Sequence, residues 1–279
     1  MFPGSGTVYK LMYVVGFALM MVINLKTHKK YRLSTKNTVI LTLITYVAGV
    51  VGAMIMSSVY SKIMYALGYD EPASVAIFGA VVFTPLFMAI ASLLFRQDWR
   101  RVIDMLAPGI FVILACAKLG CFLHGCCHGI ECSFGVMSPK IGTTVFPIQA
   151  VEVFFMCFVI AFSFWYPFKS NRYVKGAVYP ATTILYCFMR FFAEFFRYYE
   201  KPGQRDILFN MTFWQLCCIV VSVVCAIWLF IIHSKKIKAL DIAKLEKEAE
   251  DDAIAEMNAK KEKARIKKER SKKKKQYKR

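Results

Sequence analysis

The sequence lacks three features that would assign it quickly: an internal repeat, a Cys-x2-Cys pair and a cleavable signal peptide. Without a repeat, a transporter built from two related halves is disfavoured. Without Cys-x2-Cys spacing, the ten cysteines do not match the common zinc sites. The first apolar segment has neither a basic n-region nor a small-residue cleavage site, so we expect it to be retained.

Charged residues are also scarce. Asp, Glu, Lys and Arg make up 20% of the 279 residues, and hydrophobic residues make up 57%. Seven apolar segments approach or exceed the roughly 20 residues that a helix needs to cross a bilayer. This composition excludes an ordinary soluble domain and predicts an all-α polytopic membrane protein with about seven transmembrane helices. The predicted spans are 8–25, 38–60, 73–95, 102–123, 147–168, 175–196 and 211–233.

The distribution of basic residues predicts the orientation. The loops after spans one, three and five carry 11 Lys and Arg, and the three alternate loops carry 5. The positive-inside rule therefore predicts an N-terminus outside and a C-terminus in the cytoplasm. Residues 1–234 would form the membrane domain, and residues 235–279, with 18 basic and 9 acidic residues, a cytoplasmic tail. We favour a solvated tail that serves only to set the topology. The alternative is attraction to anionic lipid headgroups, and we expect no nucleic-acid partner.

The stretch 116–135, CAKLGCFLHGCCHGIECSFG, concentrates thiols, imidazoles and glycines at the predicted outer end of span four. Three interpretations stay open for it. Cys121, Cys126, Cys127 and His128 form a metal site, or a disulfide forms on the oxidising outer face, or the thiols are small reduced residues at a tight turn.

Span six carries a polar stripe within LYCFMRFFAEFFRYY. Tyr186, Arg190, Glu194 and Arg197 are spaced by four, four and three, which places them on one helical face. Such a stripe should face a cavity or a partner, because charge at membrane depth is costly. Arg190 either pairs with Glu194 or binds a phosphate, and both can hold. Lys118 in span four either extends to the interface or joins Arg190 at the same anion.

Four stretches resemble motifs of the prolipoprotein diacylglyceryl transferase family, Lgt. They are YKLMYVVGF (9–17), AKLGCFLHGCCHG (117–129), FPIQAVE (146–152) and LYCFMRFFAEFFR (185–197). The second is similar to the family signature Gly-Arg-Leu-Gly-Asn-Phe-Ile-Asn-Gly-Glu-Leu-Trp-Gly. Gln215 also fits the family's Met-Gly-Gln. The positions that agree within these stretches are Tyr9, Gly120, Phe122, Gly125, Gly129, Pro147, Gln149, Glu152, Tyr186, Arg190, Glu194 and Arg197.

The resemblance implies transfer of a diacylglyceryl group from phosphatidylglycerol to the lipobox cysteine thiol of preprolipoproteins, in the bacterial plasma (inner) membrane. It implies phosphatidylglycerol and the preprolipoprotein signal-peptide segment as partners, and no cofactor. Arg190, Lys118, Tyr186 and Tyr9 would be catalytic. The substrate-binding residues would be Glu194, Gly120, Cys121, Gly125, Gly129, Gln149 and Arg197.

The chain departs from the family at several of these positions. Lys118 stands for the signature arginine, Cys121 for the asparagine and Cys126 for the glutamate. Phe78-Gly79-Ala80 aligns with the family's His-Gly-Gly, so the histidine proposed as a base is replaced by phenylalanine. These departures keep an alternative open: a paralogue that uses the Cys/His cluster for metal or thiol chemistry, or a phospholipid-binding membrane module.

Overall fold

Seven helices dominate the part of the chain that this computed structural model describes, residues 6–69, 76–138, 142–169, 173–199 and 207–236. They are α1 (Gly6–Thr27), α2 (Thr35–Ala66), α3 (Phe78–Leu94), α4 (Trp99–His124), α5 (Ile148–Lys169), α6 (Val178–Ala193) and α7 (Phe213–Lys236). Each coincides with a predicted span, and the all-α class is confirmed. Five are long and apolar enough to cross a membrane, whereas α3 and α6 have 17 and 16 residues. The orientation stays a prediction.

The chain divides into two compact units, Met1–Phe230 and Ile231–Arg279. The predicted boundary between a membrane domain and a tail at residue 234 stays a prediction. Most of the predicted basic tail, from residue 237 onward, lies outside the described residues, as do residues 70–75 at the start of predicted span three.

Helix α4 is the centre of the first unit. It contacts α1, α3, α5 and α6, and residues 102–112 are all buried. A helix that is apolar on every side is expected in the core of a bundle. Asp98 caps its start by accepting a hydrogen bond from the backbone N–H of Arg100 (3.1 Å). Gly125 ends it in the left-handed conformation, at φ 78°, which glycine adopts without strain.

Asp104 of α4 anchors the start of α6. Its buried carboxylate accepts hydrogen bonds from the backbone N–H groups of Gly176 (2.7 Å) and Val178 (3.0 Å). The hydroxyl of Tyr173 donates to the same carboxylate (3.0 Å). These bonds satisfy amides that the first helical turn leaves unpaired. They fix the helix that carries Tyr186 and Arg190.

A small antiparallel hairpin, β1 (Glu131–Met137) and β2 (Thr144–Val145), connects α4 to α5. It lies between predicted spans four and five. Before α7, Thr212 and Gln215 form a reciprocal cap: the Thr212 N–H donates to Gln215 Oε1 (2.9 Å) and the Gln215 N–H to Thr212 Oγ1 (3.2 Å). This contact explains why the motif position of Gln215 carries an amide.

Candidate active site

Five charged side chains from α4, α5, α6 and the segment after α6 form one buried cluster, which we call the charged cluster. Glu152 of α5 pairs with Lys118 (Nζ–Oε2, 2.6 Å) and with Arg190 (NH1–Oε1, 3.0 Å). Arg197 NH2 lies 3.1 Å and 3.2 Å from the two Glu152 oxygens. Arg190 NH2 also pairs with Glu194 Oε2 at 2.6 Å. The predicted convergence of Lys118, Arg190, Glu194 and Arg197 on one site therefore matches the geometry.

Glu152 is the common partner of the three cations, and its side chain is fully buried. Sequence reasoning did not single it out as a site residue, although the FPIQAVE motif contains it. The signal available was a carboxylate in an apolar span, which is costly unless it is paired. Three cations and two carboxylates leave the charged cluster with a net charge of +1. Lys118 points inward and pairs there, rather than extending to the interface.

Three backbone segments meet beside the charged cluster at Gly129. The Gly129 N–H donates to the carbonyl of Phe146 (3.0 Å), and the Ile130 N–H donates to that of Phe196 (3.0 Å). A Cβ on Gly129 would lie 2.6 Å from the Phe146 oxygen and 2.7 Å from the Phe196 oxygen, so only glycine fits. Gly129 and Arg197 form a β-bridge. This junction holds the loop after α4 against the start of α5 and the end of α6.

The last turn of α4 and the loop that follows it bring three thiols together. The Sγ atoms of Cys121, Cys126 and Cys127 all lie within 4.8 Å of one another. Hydrogen bonds from the thiols of Cys121 and Cys126 hold the pKa of Cys127 well below its usual range. The charges of Arg197 and Lys118 act in the same direction. The thiols therefore lie next to the charged cluster.

The remaining predicted residues of this loop have different positions. All ten cysteines are free thiols. His128 is not part of the thiol group: its Nδ1 donates to the carbonyl of Gly129 (3.1 Å), and its ring lies 5.2 Å from that of Tyr198. Gln149 donates from Nε2 to the carbonyl of Cys126 (2.6 Å). Gln149 thus fixes the backbone at Cys126, in the loop after α4 that we call the thiol loop.

The two predicted catalytic tyrosines lie on different sides of α4. Tyr186 is 1% exposed and lies close enough to Arg190 and Glu152 for their charges to act on it. Tyr9 of α1 shares a hydrogen bond with Tyr13 (OH–OH, 2.9 Å). It lies within electrostatic range of Cys121 and Cys126. Tyr9 is therefore a neighbour of the thiols rather than a member of the charged cluster.

Gly120 allows α1 and α4 to pack closely near Tyr9. A Cβ there would lie 3.2 Å from Met12 Cβ and 3.3 Å from Tyr9 Cδ2. Small residues at helix contacts permit such close backbone approach in membrane proteins. The matched signature glycine thus brings Tyr9 towards the thiol loop.

A family model described as "Prolipoprotein diacylglyceryl transferase" matches residues 5–232. The chain belongs to this family. Together with the apolar helices, membership establishes a multi-pass membrane protein. The sequence resemblance to the family is thereby confirmed.

The chain is similar to several curated members of the family. It is 27% identical over 171 residues to phosphatidylglycerol–prolipoprotein diacylglyceryl transferase 2 of Clostridium perfringens, covering 56% of the chain and 65% of that protein. It is 25% identical over 154 residues to the transferase of Clostridium tetani, covering 53% and 61%. A transferase of Dehalococcoides mccartyi is 33% identical over 95 residues, covering 31% and 36%. The matched stretches thus span less than two thirds of each of these relatives.

Phe78, which the sequence comparison above aligns with the histidine of the family motif, is a packed aromatic residue. Phe78 is 4% exposed and its ring stacks on Tyr186, with centroids 6.1 Å apart. It also contacts Trp214 at the start of α7 (6.2 Å). A phenyl ring neither accepts nor donates a proton. Any proton transfer at this family site must therefore use another group.

Two apolar clefts adjoin the site. The larger, about 600 Å³, lies between α1, α2, α3 and α4 and extends from Tyr9 and Tyr13 to Ala117, the neighbour of Lys118. The smaller, about 390 Å³, lies between α5 and α6, where Val151 and Met189 line it beside Glu152 and Arg190. The arrangement can bind an anionic headgroup while apolar chains occupy the clefts.

Proposed function

We propose that this protein transfers a diacylglyceryl group from phosphatidylglycerol to the cysteine thiol of a prolipoprotein. The observation that carries the proposal is the charged cluster, which has a net positive charge and is buried in an apolar bundle. Relatives of the chain are named for this activity. A bacterial plasma membrane, the source of both substrates, is the proposed location.

The charge of the cluster matches the charge that develops during the reaction. The phosphodiester of the lipid carries one negative charge, and the departing glycerol phosphate gains a second. Cations fixed in place before the reaction stabilise such a leaving group and require no reorganisation. Of the three cations, Arg197 has the largest exposed side-chain fraction, 13% against 8% and 7%. Arg197 is therefore the cation that the phosphate reaches first.

Glu152 and Glu194 keep the cations in position rather than contacting the lipid. Arg190 uses one arm for each carboxylate, which fixes the plane of its guanidinium. Tyr186 stacks on Phe78 and lies within electrostatic range of Arg190. We assign Arg190, Arg197 and Lys118 to phosphate binding. Tyr9, which lines the larger cleft and borders the thiols, lies where the lipid and the acceptor would meet.

The two clefts suit the apolar parts of the two substrates. The larger cleft, lined almost entirely by apolar side chains, has room for acyl chains. The smaller cleft between α5 and α6 suits the apolar side chains of a signal-peptide segment. This arrangement would bring the lipid phosphate and the acceptor thiol to the charged cluster from different sides.

A reconstituted assay tests the proposal. The full chain in phosphatidylglycerol vesicles is expected to add a diacylglyceryl group to a lipobox peptide, measured as an increase in peptide mass. A peptide with serine in place of the acceptor cysteine should remain unmodified. No mass increase from folded protein, together with no rescue of cells depleted of their own transferase, would overturn the proposal.

The packed phenyl ring of Phe78 favours a second candidate, a phospholipid-binding module without transfer activity. The same assay separates the two. Phosphatidylglycerol that co-purifies with the wild type and is lost in Arg190→Gln, without any modified peptide, would favour the binding module.

A further inference from the structure

The three thiols at the end of α4 and in the loop after it have no counterpart in the family motif. Cys121 and Cys126 stand where the signature has asparagine and glutamate, and Cys127 follows directly. Their Sγ atoms lie within 4.8 Å of one another. Tetrahedral Zn²⁺ binds sulfur at about 2.3 Å, which sets sulfur–sulfur distances of about 3.8 Å. A contraction of about 1 Å therefore converts this group into three ligands of one ion.

The backbone that presents the thiols is fixed by several contacts. Gly125 and Cys127 both have positive φ, 78° and 56°, and these two reversals turn Cys127 back towards Cys121. Positive φ is strained for cysteine and persists only when the surroundings hold it. Gln149 and the junction at Gly129 supply that support. Such contacts behind the ligands orient them for a metal.

The electrostatic surroundings suit a thiolate site. Three thiolates and one Zn²⁺ carry a net charge of −1, and the neighbouring charged cluster carries +1. Arg197 and Lys118 act directly on Cys127. Zinc in catalytic sites has three protein ligands and a fourth position for water or substrate. Cys127 is exposed, so this position faces an accessible side of the loop.

We propose that Cys121, Cys126 and Cys127 bind one Zn²⁺ ion, whose fourth position takes and ionises the acceptor thiol of the prolipoprotein. The zinc site stands on the three cysteines alone, and the role of its fourth ligand rests on the proposed function. Metal binding and diacylglyceryl transfer are then parts of one mechanism, rather than two alternative functions. The site would supply the thiol activation that Phe78 cannot provide.

The chemistry balances without an oxidant or a reductant. The acceptor thiol binds the metal and releases its proton to water, because a coordinated thiol is deprotonated. The sulfur then attacks the glycerol carbon that bears the phosphate, and a carbon–sulfur bond forms. The carbon–oxygen bond breaks, and glycerol phosphate leaves with the electron pair and the additional negative charge.

Metal analysis of the purified full chain tests the site. Protein kept reduced, loaded with Zn²⁺ and dialysed is expected to retain one zinc per chain by mass spectrometry of the metal. X-ray absorption should give about three sulfur ligands at about 2.3 Å. Wild-type protein that retains no zinc, or zinc bound only by nitrogen and oxygen, would overturn the inference.

Cysteine variants locate the site. Cys121→Ser, Cys126→Ser and Cys127→Ser should each lower zinc retention at least tenfold. Cys132→Ser, which removes a thiol of the same segment outside the group, should retain it. Zinc retention by all three of these variants would contradict the assignment. If a variant does not fold, Co²⁺ added to the metal-free wild type decides: an intense sulfur-to-cobalt absorption band supports the site and its absence contradicts it.

The role of the fourth ligand has its own readout. A lipobox peptide should change the visible spectrum of the Co²⁺ form, and the serine peptide should not. Full transfer activity in metal-free protein would overturn the role of zinc in activating the acceptor thiol and leave the proposed function intact. Zinc that binds, with a peptide-dependent cobalt spectrum but no transfer, would retain the metal site and contradict the proposed function.

Discussion

Lys118 Nζ lies 2.6 Å from Glu152 Oε2, although a β hairpin separates the two helices that carry them. Both side chains are almost fully buried. Because Glu152 also pairs with Arg190 and Arg197, a single carboxylate holds three cations together. The binding capacity of the site therefore depends on a residue that need not touch the substrate.

Replacement of Glu152 should cost both stability and activity. Glu152→Gln leaves three buried cations with one carboxylate, and loss of one partner from a buried ion pair costs about 3–5 kcal/mol. We expect a lower unfolding temperature in detergent and loss of transfer. Glu131→Gln, which removes an exposed carboxylate in β1, should change neither. Equal stability of the two variants would show that Glu152 is not the centre of the cluster.

Arg190 should not tolerate lysine. The guanidinium reaches Glu152 with one arm and Glu194 with the other, and an ammonium cannot match this fork. We expect Arg190→Lys to lower the transfer rate by about 10²–10³-fold, as measured by peptide mass against time. Arg101→Lys, at an exposed 3.6 Å pair with Asp98, should lose less than about 1 kcal/mol and keep its rate. A wild-type rate for Arg190→Lys would contradict a role for both arms.

A methyl group at Gly129 should disrupt the junction. Gly129→Ala places Cβ against two backbone oxygens that cannot rotate away, so we expect a cost of about 1–3 kcal/mol. Transfer activity should fall as well, because the junction positions Arg197. Gly6→Ala meets nothing within 4 Å and is the matched control. Unchanged unfolding of Gly129→Ala would mean that the three segments are not held as tightly as described.

Asp104 and Asp98 allow the stability contribution of a buried carboxylate to be compared with that of a surface N-cap. Asp104→Ala removes the acceptor of three backbone N–H groups and one hydroxyl, each worth about 1–3 kcal/mol when buried. Asp98→Ala removes one surface cap, worth about 1 kcal/mol. We expect the first variant to unfold at a clearly lower denaturant concentration. A similar loss for both would contradict the anchoring of α6 by Asp104.

The helices could be predicted from the sequence because apolar length and turn chemistry are local properties. The predicted spans locate all seven described helices, and the i, i+4, i+7 stripe identifies Arg190, Glu194 and Arg197. The role of Glu152 was not predictable in this way, since its partners come from three other segments. The convergence of Cys121 with Cys127 likewise depends on two positive φ angles that a periodic pattern does not reveal.

The pairing of the cluster has a consequence for how the chain enters the bilayer during synthesis. Lys118 and Glu152 lie on consecutive helices, so a nascent α4–α5 hairpin carries these two charges already matched. Arg190 and Glu194 are matched one helical turn apart on the next segment. An unmatched charge at the centre of an inserting helix costs about 2.5–3.5 kcal/mol. Arg197, the last of the five to be synthesised, meets the carboxylate of Glu194 three residues earlier (Nε–Oε2, 3.6 Å).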